Sequence, residues 1–79
     1  MAVRIFLMVK VEPGYTDKII SKLKTFEEVS LVCLIDEGPY DIIAVIDVES
    51  FDDYRIFSMD RIGSMHHLED YTSFITLGA

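Results

Sequence analysis

The sequence predicts an α+β domain of order βαββαβ, a four-stranded antiparallel sheet with both helices on one face. Three observations carry that prediction. Four apolar runs follow the two-residue period of strands, two segments follow helical spacing, and a Gly-Pro pair splits the two middle runs. At 79 residues there is room for one domain with a modest core, so apolar residues in excess of that core point to self-association.

The first run, Val3 to Val11, alternates: Val3, Ile5, Leu7, Val9 and Val11 point one way, Arg4, Phe6, Met8 and Lys10 the other. Pro13 and Gly14 end it as turn residues. Over residues 16–26, Ile19, Leu23 and Phe26 form one helical stripe. Thr16 is placed to cap that helix, and Asp17 suits its positive end.

The next two runs, "EVSLVCLIDE" and "YDIIAVIDVE", are divided by Gly38 and Pro39, a hairpin signal. Both are apolar on both faces. In the first, Val29, Leu31, Cys33 and Ile35 oppose Val32 and Leu34; in the second, Ile42, Ala44, Ile46 and Val48 oppose Ile43 and Val45. That pattern belongs to central strands covered on both sides. Two helices cover one face only, so the other is expected to meet a second copy.

Ser50 begins the second helix as its N-cap, with Asp53 three residues on. Phe51, Tyr54, Ser58, Ile62 and Met65 share a stripe, Ile56 lies off it, and Gly63 stops the helix. The last run alternates with Leu68, Thr72, Phe74 and Thr76 on one side and Tyr71, Ser73, Ile75 and Leu77 on the other. Right-handed crossovers in a split βαβ pair put both helices on the same side of the sheet.

Composition narrows the function. Fourteen acidic against seven basic residues give a net charge of −7, which repels nucleic-acid backbones and anionic membrane surfaces. The lysines, Lys10, Lys18, Lys22 and Lys24, read as a solvated helix face. The single Cys33 cannot form an internal disulfide and reads as a small buried hydrophobe. With no signal peptide or membrane span, a cytoplasmic protein is expected.

Catalytic constellations are thin. Adjacent His66 and His67, if in a strand, point to opposite faces and cannot share a metal. The pairs Asp36-Glu37, Asp52-Asp53 and Glu69-Asp70 are accounted for by capping and solubility. No catalytic residue, metal site or cofactor is expected. The hairpin "EGPYD" remains: Gly38 permits close backbone approach, Asp41 supplies a fixed negative charge for an ammonium group, and Tyr40 an apolar wall with a hydroxyl. Turn formation and solvation explain the same residues, and both readings stay open at this point.

"MVKVEPG" at 8–14, "EGPYDIIAVIDVES" at 37–50 and "TSFITL" at 72–77 resemble the ligand-binding domain of the Lrp/AsnC transcription regulators, the RAM domain (regulation of amino acid metabolism). The resemblance spans residues 3–77 and is most specific at Gly38-Pro39-Tyr40-Asp41. It implies a ferredoxin-like domain that dimerises through its sheets in an α/β-barrel-like packing, the dimers assembling into octameric or decameric rings. It implies a stand-alone effector domain without a helix-turn-helix, able to mix with full-length regulators, with an amino acid or related small molecule bound between dimers. Carried over position by position, it nominates Gly38, Tyr40 and Asp41 at the hairpin, and Thr72, Ser73 and Thr76 on the last strand.

Two departures bear on the ligand. Glu37 stands where the family often has Thr, and Glu69-Asp70-Tyr71-Thr72-Ser73 where a basic residue and T-x-T often open the last strand. The added acid points either to a cationic ligand or to loss of amino-acid binding. Two further readings stand beside an effector module: a cofactor-independent monooxygenase on the same scaffold, which the absence of Trp and Asn disfavours, and a purely structural oligomer.

Overall fold

A computed structural model describes residues 2–77. The elements are β1 (Val3–Val11), α1 (Thr16–Leu23), β2 (Val29–Leu34), β3 (Ile42–Val48), α2 (Phe51–Phe57) and β4 (Leu68–Ile75). The sheet is antiparallel with order β2-β3-β1-β4, a ferredoxin-like α+β arrangement.

β1 and β3 pair without interruption from Val3↔Val48 to Val9↔Ile42. Because side chains alternate, this register puts Ile5, Leu7, Ile42, Ala44 and Ile46 together under the helices, where they are fully buried. Ile19 and Leu23 of α1 and Tyr54 and Phe57 of α2 close the core from above. The Phe26 and Phe57 rings meet edge to face, centroids 5.7 Å apart, and lock the two helical segments together.

Several expectations need correction. The first helix stops at Leu23, three residues short of the expected end, although Phe26 is buried as its spacing implied. Tyr15, not Thr16, occupies the N-cap, and no side chain caps this end. The run Val29–Leu34 is an edge strand, because the crossover topology inserts β1 between β3 and β4. Cys33 is exposed, on the sheet face away from the helices.

Phase errors have a common cause. A register shift between Val29 and Leu31 puts Val29 on the helix side with Val32, apart from Leu31 and Cys33. Another, opposite Lys10 and Val11, pairs Leu68 with Val11 and turns it onto the core, apart from Thr72 and Phe74. An extra residue on one strand of a pair reverses the alternation beyond it.

Ser50 caps α2 as expected, its hydroxyl accepting the Asp53 N–H at 3.2 Å. Beyond Phe57 the helix widens into a π-helical turn, Ser58–Ile62, where the Gly63 N–H donates to the Ser58 carbonyl at 2.8 Å. A regular helix would bring Arg61 round over Phe57; the wider turn brings Ile62, which is buried. Phe51 is correspondingly exposed and Phe57 buried in its place, while Ile56 faces solvent as expected.

The other sheet face has no covering layer among the described residues. It carries Phe6, Met8, Ile43 and Val45, half-buried, with Leu31 55% and Phe74 59% exposed. At one end of this face Arg4 and Asp47, opposite each other in the β1–β3 register, form a two-pronged ion pair at 2.8 and 3.0 Å. No helix among the described residues is long and apolar enough to cross a membrane.

Candidate functional site

The β2–β3 hairpin closes over Asp36–Tyr40, and Asp41 ties its base to the sheet through three groups. Its N–H donates to the Val9 carbonyl at 2.8 Å, its carbonyl accepts the Ile35 N–H at 2.8 Å, and its carboxylate Oδ2 accepts the Val11 N–H at 2.8 Å. Val11 lies beyond the last β1–β3 pair, so the carboxylate stands in for the next backbone carbonyl of the ladder. This residue therefore has a structural task at the turn, in keeping with the turn-forming reading of the sequence.

Gly38 has φ +144°, a conformation that side chains rarely adopt. A Cβ there would meet Ile35 Cγ2 at an ordinary 3.7 Å, so backbone conformation, not space, requires glycine. Tyr40 is half-buried beside Asp41. The second carboxylate oxygen of Asp41 has no hydrogen-bond partner among the described residues. What the hairpin offers is thus one free carboxylate oxygen, on the residue that follows Tyr40 in sequence, suited to an ammonium donor.

The strand β4 candidates are dispersed relative to this turn. Thr72 pairs with Met8 and faces the open side of the sheet. Ser73 pairs with Leu7 on the helix side, where its hydroxyl is hydrogen-bonded to that of Tyr54. Thr76 lies past the far end of β4, its N–H at 3.0 Å and hydroxyl at 2.8 Å from the Arg4 carbonyl. Arg4 and Val11 are seven residues apart on one strand, about 24 Å at strand rise. Within one chain, Thr76 and Asp41 therefore stand at opposite ends of the sheet.

A second cluster had no sequence signal, because it joins segments some fifty residues apart. His66 and His67 are exposed in a bend directly before β4. His67 takes a φ of +71°, and its ring lies flat on Tyr15 with centroids 3.5 Å apart and planes 9° from parallel. Its carbonyl accepts the Glu12 N–H at 3.0 Å, and its Nδ1 lies 3.4 Å from a Glu12 carboxylate oxygen. Among the described residues there is no group of three metal-ligating side chains.

The family model for the Lrp/AsnC ligand binding domain matches residues 4–79. The fold is similar to hypothetical protein PHS023 from Pyrococcus horikoshii, with TM-score 0.90 and 21% identity over 98% of this chain and 92% of that one. Escherichia coli AsnC superposes with TM-score 0.89 and 18% identity over 98% of this chain and 52% of its own. The Neisseria meningitidis transcriptional regulator NMB0573, solved as an L-Met complex, gives TM-score 0.86 and 17% identity over 96% of this chain and 50% of its own. The chain thus spans about half the length of these two regulators. No curated protein matches it by sequence.

Proposed function

The chain belongs to the Lrp/AsnC ligand-binding domain family, and from that premise we propose that it is an amino-acid-binding effector and oligomerisation module that modulates transcription without binding DNA or catalysing a reaction. The observation that carries this reading is the Asp41 carboxylate, fixed by the Val11 N–H with its other oxygen free of hydrogen bonds among the described residues. An amino acid's ammonium group would take that oxygen, and its carboxylate would need donors from elsewhere. Thr72 faces the open side and Thr76 the far end, so those donors come from a neighbouring copy, as they would in a ring assembled from dimers. The regulator solved with L-Met supports a small-molecule ligand for this domain type.

In this reading the open sheet face packs against the same face of a second chain. Apolar residues this exposed are typical of an interaction surface. The net charge of −7 weighs against contact with a nucleic-acid backbone.

Thermal denaturation with each standard amino acid tests the proposal. At a hundredfold excess over its dissociation constant, a true ligand stabilises the protein by about 2.7 kcal/mol. Asp41→Asn is the informative variant: it keeps an acceptor for the Val11 N–H and removes the charge. It is expected to lose the ligand shift and keep the fold. If no amino acid raises the melting temperature, the effector reading gives way to a structural oligomer.

A further inference from the structure

One concavity of this acidic protein gathers basic side chains and no acidic ones. A cleft of about 270 Å³ between α1 and the segment before β4 is lined by Lys18, Lys22, Ser64, His66 and His67, over an apolar floor of Ile19 and Met65. No Asp or Glu lines it, whereas the grooves beside β4 and α2 contain Glu69 and Asp70, and Glu28, Glu49, Asp53 and Asp60. Half of the lysines and both histidines of a chain with net charge −7 therefore share one concavity.

These cations are not neutralised internally. Arg4 and Arg55 each pair with an aspartate, but neither Lys18 nor Lys22 has a carboxylate within ion-pair distance among the described residues. Lys18 and Lys22 stand four apart on one helix, an arrangement of like charges that destabilises a helix slightly. His67 adds a second local cost through its positive φ, which non-glycine residues seldom take. Its ring is nevertheless fixed: it is stacked on Tyr15, and Nδ1 is turned to Glu12. That leaves Nε2 as the ring nitrogen without a hydrogen-bond partner among the described residues.

We propose that this cleft is a second ligand site, separate from the hairpin, that binds a compact anionic metabolite bearing a phosphate or several carboxylates. Two ammonium groups supply donors to anionic oxygens, and the doubly protonated His67 ring would add Nε2–H, since Nδ1 faces the Glu12 carboxylate; the Ser64 hydroxyl donates instead to the Asp60 carbonyl at 2.8 Å. Ile19 and Met65 accommodate a short carbon skeleton. The volume falls just below the range usual for drug-sized ligands, which restricts the occupant to a small molecule. The like-charge repulsion between Lys18 and Lys22 is what an anion would relieve.

Isothermal calorimetry on the full chain tests this with sodium phosphate and sodium citrate at constant ionic strength, with sodium chloride as control. At least one of the two anions is expected to bind saturably, and which one does assigns phosphate or polycarboxylate chemistry. The double variant Lys18→Gln/Lys22→Gln, with its fold checked by circular dichroism, is expected to weaken binding at least about tenfold. His67→Gly, which keeps the positive φ at no cost but loses the stack on Tyr15, is expected to keep its circular dichroism spectrum and bind more weakly. Asp41→Asn is expected to bind the anion as the parent does, so this result is independent of the hairpin reading. No saturable heat with either anion, an equal response to chloride, or unchanged affinity in either cleft variant would overturn the proposal.

Discussion

Leu7 and Met8 are neighbours on the same strand, yet Leu7 is fully buried and Met8 half-exposed. The same contrast runs across the sheet: Ile42, Ala44 and Ile46 are sealed beneath α1 and α2, while Ile43 and Val45 look out beside exposed Leu31 and Phe74. Residue chemistry does not distinguish the faces, since both are rich in branched and aromatic side chains. What differs is the presence of a second layer. One face is completed by the chain's own helices, and the other is as apolar as a core and lacks its cover.

Leu7→Ala and Met8→Ala sharpen that contrast most strongly. Removing the buried Leu7 side chain is expected to cost about 2–5 kcal/mol of folding stability, measured by urea unfolding. Met8→Ala in the dissociated chain is expected to cost at most about 1 kcal/mol, with its main effect on association. Equal folding costs for the two would erase the distinction between the faces.

Phe74→Asp addresses the open face alone. If a second sheet packs on this face, a charge between the two is expected to cost at least about 2 kcal/mol of association free energy, roughly thirtyfold in dissociation constant. Sedimentation equilibrium should show a shift toward monomer while the circular dichroism spectrum is retained. Unchanged association would mean that the cover for this face is something other than a second sheet.

The two faces were also unequally legible. Along β1 and β3 the sequence alternation matches the structure residue for residue, because unbroken pairing preserves phase. On the edge strands Val29 and Leu68 were read on the wrong side, since a bulge needs no characteristic residue. The π-helical turn exchanged Phe51 for Phe57 in the core by the same mechanism, one added residue in a periodic element. At the hairpin, Gly38 was visible from turn chemistry. The carboxylate bond from Asp41 to Val11 was not, because it depends on where β1 runs out. The Lys18–His67 cleft was invisible, since neither segment carries a motif and only the tertiary fold joins them.

Tyr54→Phe probes a polar contact on the helix-covered face. The Tyr54 hydroxyl is hydrogen-bonded to Ser73, joining α2 to the edge strand β4 from beneath. Loss of the hydroxyl leaves the ring packing intact and is expected to cost about 1 kcal/mol in urea unfolding. Ser73→Ala combined with it should add little, as expected for partners in a single bond. A strictly additive pair would show that the two hydroxyls act separately.

The smallest effect on folding, and the most specific to the open face, is expected from pH. The Arg4 guanidinium bonds the Asp47 carboxylate on that face and holds its pKa below the ordinary value. The folded state therefore takes up this proton less readily than the unfolded chain. The contribution to stability is fully present above the ordinary carboxylate range and is lost as pH falls through the depressed value. In a single chain the pair is solvated, so this loss should be barely detectable in the melting temperature and should vanish in high salt. If a second sheet covers the face, the same protonation removes one partner of a desolvated pair and leaves Arg4 unmatched in the interface. Acidification is then expected to dissociate the dimer before it unfolds the chain, followed by sedimentation and circular dichroism on the same samples. Asp47→Asn places the pair permanently in its discharged state and should weaken the dimer at neutral pH while removing this part of its acid response. If the variant's dimer is as strong as the parent's at neutral pH and equally acid-sensitive, the ion pair lies outside the interface, and the covering layer must seat on the Leu31 and Phe74 side alone.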